Sequence, residues 1–232
     1  MTARLYAALD TSALPAALDL ARRLAGRVDG LKLGLEFFVA QGPEGVRKVS
    51  EAGVPIFLDL KLHDIPNTVA GAVRDALALA PRMMTLHAGG GPAMLRAARD
   101  AAADSADPPA LVAVTVLTSL DDADLAAVGQ AGPALDQVRR LAGLAQACGL
   151  SGVVCSPLEI AQLRTDCGPD FRLVVPGIRP AGAAAGDQKR VMSPAAAAAA
   201  GASDLVVGRP ITAAPDPAAA AALIRGELGS HG

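Results

Sequence analysis

From one end to the other, the chain alternates between strand-like and helix-like segments, eight times over and with short connections. Apolar, β-branched runs bounded by glycine, proline or aspartate predict strands at 5–9, 30–33, 54–58, 83–87, 111–117, 152–155, 172–175 and 205–207. Between them, helices are predicted at 16–24 (capped by Thr11 or Ser12), 45–51, 69–79, 93–103, 135–147 and 158–163. The alanine run 195–200 follows Ser193-Pro194 and precedes Gly201, so it reads as a tightly packed helix, and 217–228 closes the chain. Strand–helix units in this number predict an α/β fold, a parallel sheet wrapped by helices and closed into a (β/α)8 TIM barrel, with 1–232 as a single domain. An open doubly wound sheet is the alternative. Against it, no G-x-G-x-x-G follows the first strand, and Gly89-Gly90-Gly91 reads as a tight turn between strand and helix.

Apolar residues make up 52% of the 232 residues but aromatics only 2%, so the core must be built from Ala, Leu and Val. A net charge of −2, no basic tract, one Tyr and no Trp offer nothing for nucleic acid or an anionic membrane to hold. A small molecule is the expected partner. Cys148, Cys155 and Cys167 lack zinc-ligand spacing and read as reduced apolar residues, with no metal role. The N-terminus has no signal-peptide core, and no strongly apolar stretch reaches the roughly 18 residues a membrane span needs. A soluble, cytoplasmic protein is expected.

Chemistry concentrates in Ile56-Phe57-Leu58-Asp59-Leu60-Lys61-Leu62-His63-Asp64-Ile65. A lone buried charge is costly, so Asp59, Lys61 and Asp64 are expected to pair with one another at the end of the third strand. Alternation along a strand puts Asp59 and Lys61 on one side, and a lysine beside a carboxylate keeps its proton as a positioned acid. A structural ion pair capping a strand is the plainer reading. Other polar residues fall at corresponding places: Asp10 ends the first strand, Lys32 the second and His87 the fourth, while Thr118 follows the fifth and Arg209 the eighth. Singly, Asp10 could cap a helix and His87 could be a core histidine. On the C-terminal rim of a barrel, however, lysines and carboxylates would form one network. Pro176-Gly177-Ile178-Arg179-Pro180, the small-residue stretch leading to Gly186-Asp187-Gln188, and Gly208-Arg209 follow the seventh and eighth strands. Loops there commonly bind phosphate, with Arg209 offering a planar fork of donors, and 177–186 has the composition of a lid.

These segments resemble the orotidine 5'-phosphate decarboxylases. Asp59, Lys61 and Asp64 followed by Ile65-Pro66-Asn67-Thr68 are similar to that family's signature. Pro176-Gly177-Ile178-Arg179-Pro180 with Asp187-Gln188, Arg190 and Val191 resembles its phosphate lid, and Val207-Gly208-Arg209-Pro210-Ile211-Thr212 its last phosphate loop. Leu9-Asp10 and Leu31-Lys32-Leu33-Gly34 also fit, while Met83-Met84-Thr85-Leu86 and the triple glycine depart from the pattern around His87. The resemblance implies decarboxylation of orotidine 5'-monophosphate to uridine 5'-monophosphate without metal or organic cofactor. It implies Lys61 as proton donor, with Asp59, Asp64 and Lys32 completing the catalytic set. Asp10 and Lys32 would bind the ribose and Thr118 the pyrimidine. Gln188, Arg209, Gly208 and Arg179 would hold the phosphate. It further implies a homodimer in which Asp64 and Thr68 reach the neighbouring subunit's site.

The nearest rival is a sugar-phosphate enzyme with Mg2+ on a similar Asp-x-Lys-x-x-Asp strand. Lys32 argues against it, since an ammonium at the rim would repel the cation. A metal-dependent epimerase is poorly served by His63, His87 and the near-terminal His231. A non-catalytic nucleotide-binding barrel would use the same phosphate loops. Turnover that is unchanged by excess EDTA is the expected outcome, and loss of activity restored by Mg2+ would favour the rival.

Overall fold

Alanine, leucine and valine supply most of the buried strand residues, on a sheet buried on both sides. In the computed structural model, which describes residues 3–130, 132–180 and 192–229, the elements follow the predicted alternation. They are β1 (Arg4–Ala8), α1 (Leu14–Leu24), β2 (Gly30–Gly34), α2 (Leu35–Ser50), β3 (Ile56–Leu62), α3 (Pro66–Leu77), β4 (Met83–His87) and α4 (Gly91–Ala102). Then come β5 (Ala110–Val114), α5 (Asp122–Ala127), α6 (Ala134–Ala147), β6 (Gly152–Val154), α7 (Ile160–Cys167) and β7 (Arg172–Val175). The last are α8 (Pro194–Ala199), β8 (Asp204–Val207), α9 (Arg209–Thr212) and α10 (Pro217–Gly229).

All neighbouring strands pair in parallel, and β1 pairs with β8 through Arg4↔Asp204 to Ala7↔Val207, closing the barrel and excluding the open sheet. One set of side chains packs between sheet and helices. The alternate set fills the interior, where Tyr6, Ala8, Phe57, Met83, Val112, Val174 and Val206 form a separate apolar layer. Tyr6 and Phe57 meet edge to face at 5.8 Å. Below them the Asp204 carboxylate is fully buried between Arg4 (3.0 Å) and Arg172 (2.8 Å), sealing the N-terminal end of the barrel. Burial pushes the Asp204 carboxyl up despite both guanidiniums. Burial, then the neighbouring Asp204, likewise pushes up the Tyr6 phenol.

Several boundaries differ from expectation for identifiable reasons. Neither Thr11 nor Ser12 caps α1: Ala13 stands at that position, Thr11 Oγ1 accepts from the Ala13 N–H, and the Ser12 carbonyl accepts from Gln41. The α2 span begins at Leu35, but Gly42 (φ 60°, ψ −166°) is not helical and kinks it into two segments; the predicted 45–51 falls in the second, after Pro43, and the first was not predicted. The helix α5 was not predicted, although its cue is local. Asp121 accepts from the N–H groups of Ala123 and Asp124, and Asp124 accepts from that of Asp121. Such a box usually carries glutamate at its third position. The alanine run does form α8, capped by Ser193, whose hydroxyl accepts from the Ala196 N–H.

Gly152 marks a place where only a hydrogen fits. A Cβ there would lie 2.2 Å from the Arg172 carbonyl oxygen, and neighbouring backbone in a closed barrel cannot yield as a side chain can. Gly152→Ala is expected to destabilise the fold by about 3 kcal/mol, the upper range for overpacking, as measured by urea unfolding. A change below about 0.5 kcal/mol, the scale of neutral surface substitutions, would show that β6 and β7 separate easily.

Candidate active site

At the C-terminal mouth of the barrel the alternate residues of the strands change from apolar to charged. There they line a cavity of about 490 Å³. Its walls carry Asp10 from the end of β1, Lys32 from β2, Asp59 and Lys61 from β3, and Thr118 beyond β5. Pro176, Gly177 and Arg179 follow β7, and Gly208 and Arg209 follow β8. Phe57, Val154, Val174 and Val206 form its apolar floor.

The charged groups alternate in sign. Asp10 Oδ1 lies 3.1 Å from Lys32 Nζ, Lys32 Nζ lies 3.5 Å from Asp59 Oδ2, and the same oxygen lies 2.9 Å from Lys61 Nζ. Asp59 is only 8% exposed. Burial pushes its carboxyl up, but Lys32, then Lys61, and hydrogen bonds from Lys61 and Thr85 more than offset this and hold it below the usual carboxylate range. A Cβ on Gly34 would lie 3.0 Å from Lys32 Nζ, so the missing side chain there leaves room for the ammonium.

Arg179 and Arg209 line the same cavity. Burial and the charge of Arg209 lower the Arg179 pKa. Its buried Nε has no hydrogen-bond partner among the described residues. The base of the loop is pinned by the Ile178↔Met192 bridge and by the Arg179 N–H donating to the Met192 carbonyl. Gly208 lies close beside Asp10, with 3.4 Å between its would-be Cβ and Oδ2. Two cations lining one cavity suit a dianion.

The structure brings together Lys61, Asp59, Lys32, Asp10, Thr118, Arg179, Gly208 and Arg209 of the predicted set. Asp64 and Thr68 do not join them. Contrary to expectation, Asp64 pairs with neither Asp59 nor Lys61: it is exposed, and its carboxylate accepts from the Ile65 N–H. The third strand runs on to Leu62, so Asp64 lies beyond its end and outside the cavity lining. Thr68 is exposed on the first turn of α3. Gln188, with Asp187, Arg190 and Val191, lies outside the described residues. His87 stacks near His63 at 5.4 Å. Burial, then His63 and Lys61, lower its pKa. Cys155 does not line the cavity, and full burial pushes its thiol up, as expected of a packing residue.

A model of the orotidine 5'-phosphate decarboxylase / HUMPS family matches residues 3–224. The chain belongs to this family. A protein of Paramagnetospirillum magneticum named orotidine 5'-phosphate decarboxylase is 59% identical over 229 residues, covering 97% of each chain. One of the same name from Thermobifida fusca is 53% identical over all of this chain and 98% of its own length. The crystal structure of orotidine 5'-phosphate decarboxylase from Lactobacillus acidophilus superposes with a TM-score of 0.88 at 37% identity, covering 98% of this chain and all of that one. No helix among the described residues is long and apolar enough to cross a membrane.

Sequence reasoning missed Thr85, whose hydroxyl bonds to both the Asp59 side chain and the Lys61 backbone. The only signal was a polar residue inside an apolar strand, two places before His87.

With its folded-state pKa below the unfolded value of about 3.9, Asp59 contributes its full stabilisation above that value. The contribution is lost as pH falls through the folded-state pKa. Lys32→Met removes the largest charge holding that value down. It is expected to raise the Asp59 midpoint, followed through the carboxyl carbon resonance. An unmoved midpoint would show that Lys61 and Thr85 suffice.

Proposed function

We propose that this chain decarboxylates orotidine 5'-monophosphate to uridine 5'-monophosphate and CO2. The observation that carries the reading is the Lys61 ammonium, held 2.9 Å from a buried carboxylate at the mouth of the barrel, in a chain of this family. Loss of CO2 leaves an electron pair on C6 of the pyrimidine. The Lys61 ammonium stabilises that developing charge and then donates its proton to C6, so charge and proton come from one side chain and the reaction calls on no metal or organic group. Asp59 holds Lys61 and sets a negative charge beside the departing carboxylate, which disfavours the bound substrate more than the transition state.

Lys32 and Asp10 are assigned to the ribose hydroxyls and Thr118 to the pyrimidine. Arg209, Arg179, the Gly208 backbone and Gln188 are assigned to the phosphate. The support for this assignment is that Arg179 and Arg209 line one cavity with the charged chain and lie near enough for the charge of Arg209 to act on Arg179. Phosphate contacts remote from C6 would act through binding energy that closes the loop after β7 and orients the ring. Asp64 and Thr68 are exposed and do not line the cavity of their own chain, which supports the reading that they serve a neighbour's. The enzyme would then be a homodimer with shared sites, a cytoplasmic protein of pyrimidine biosynthesis with no part for nucleic acid or membrane.

Lys61→Ala is expected to abolish the fall in ultraviolet absorbance of orotidine 5'-monophosphate while UMP binding persists. Undiminished turnover would overturn the assignment, and no turnover by the unsubstituted protein would overturn the whole reading. Mixing Lys61→Ala with Asp64→Asn protein is expected to restore part of the activity, because one site of each mixed dimer regains both residues. No recovery, despite subunit exchange, would place Asp64 in the site of its own chain.

A further inference from the structure

The ladder between β3 and β4 is irregular just where the chemistry sits. Leu58 pairs with Met84 and Leu62 with Leu86, so residues 59–61 of β3 stand opposite Thr85 alone. Within this bulge Lys61 adopts φ 50°, a left-handed conformation that a lysine occupies only where its surroundings impose it. Its N–H is turned out of the regular ladder. The Thr85 hydroxyl, 1% exposed, takes the place of the missing carbonyl. It accepts from the Lys61 N–H at 2.9 Å and lies 2.9 Å from Asp59 Oδ1.

The direction of these bonds is determined. A backbone N–H can only donate and an ionised carboxylate can only accept, so the Thr85 proton must point to Asp59. The two oxygens of Asp59 thus have separate duties: Oδ1 is tied to Thr85, and Oδ2 faces both ammoniums. The terminal torsion of an aspartate is otherwise broad, and a β-branched threonine is stiff.

We propose that Thr85 is the positioning residue of this site, locking the Asp59 carboxylate and the Lys61 backbone into one hydrogen-bonded unit that aims the lysine at the reacting carbon. Thr85 acts through these two residues and not on the substrate, and its role rests on the decarboxylase reading. The charged and titratable groups around Asp59 are Lys32 on β2, Lys61 on its own strand, His87 on β4 and, beyond Lys32, Asp10 at the end of β1. Thr85 adds a neutral hydrogen bond that favours the charged carboxylate.

Thr85→Val keeps the shape and removes both bonds. It is expected to lower kcat by about tenfold or more, the scale of small misplacements in an active site, with KM changed by less than about threefold, since binding energy is largely untouched. The acid limb of kcat/KM is expected to move to higher pH, because Asp59 loses a bond to its ionised form. Thr85→Ser, which keeps the hydroxyl, is expected to restore most of kcat and return the acid limb to its original place. Thr85→Cys, a weaker donor, should fall between them and serves if the valine protein does not fold. Wild-type kcat and an unmoved acid limb in Thr85→Val, or in Thr85→Cys where valine fails, would overturn the proposal. So would an equal loss in the serine variant, which would make the role one of packing. An unsubstituted protein that leaves orotidine 5'-monophosphate unchanged would instead overturn the decarboxylase reading.

Discussion

Everything at the mouth of the barrel depends on keeping one almost buried carboxylate ionised. Left alone, the Asp59 carboxyl would be pushed up, since desolvation disfavours its charge. Two ammoniums at 2.9 and 3.5 Å and a hydroxyl at 2.9 Å reverse that preference. The charge so retained in turn holds the Lys61 side chain in place. Removing one member of such a set leaves another buried and unpaired, which costs more than the pair itself contributes.

The same fold contains a contrasting case at its other end. Asp204 also lies between two cations, Arg4 and Arg172, yet burial wins there and its carboxyl is pushed up. Asp204 is wholly inaccessible, beneath an apolar layer that separates it from the cavity. Asp59 lies above that layer, beside a cavity open to solvent. Strand alternation delivers both aspartates to the interior, and depth along the barrel decides which one plugs it and which one serves the mouth.

The fold was largely legible because its determinants are local. Apolar runs of strand length, alternating with alanine-rich helical segments, leave few ways to bury every sheet face, and most strand positions agree within one or two residues. Where expectation and structure part, a longer-range effect intervenes. The segment after Leu58 looks like the end of a strand, but the Thr85 hydroxyl lets β3 continue through a bulge to Leu62.

By itself the sequence determined the alternating elements, the charged run on the third strand and the order of the loop motifs, since each is written in neighbouring residues. That Asp59, Lys61, Lys32 and Asp10 meet while Asp64, five residues from Asp59, does not was decided by the tertiary structure. Closure of the sheet brings strand ends together across the barrel, and a two-residue excess in β3 turns the backbone of Lys61 toward Thr85. Hydrogen bonds between strands distant in sequence set that geometry, and no local pattern encodes it.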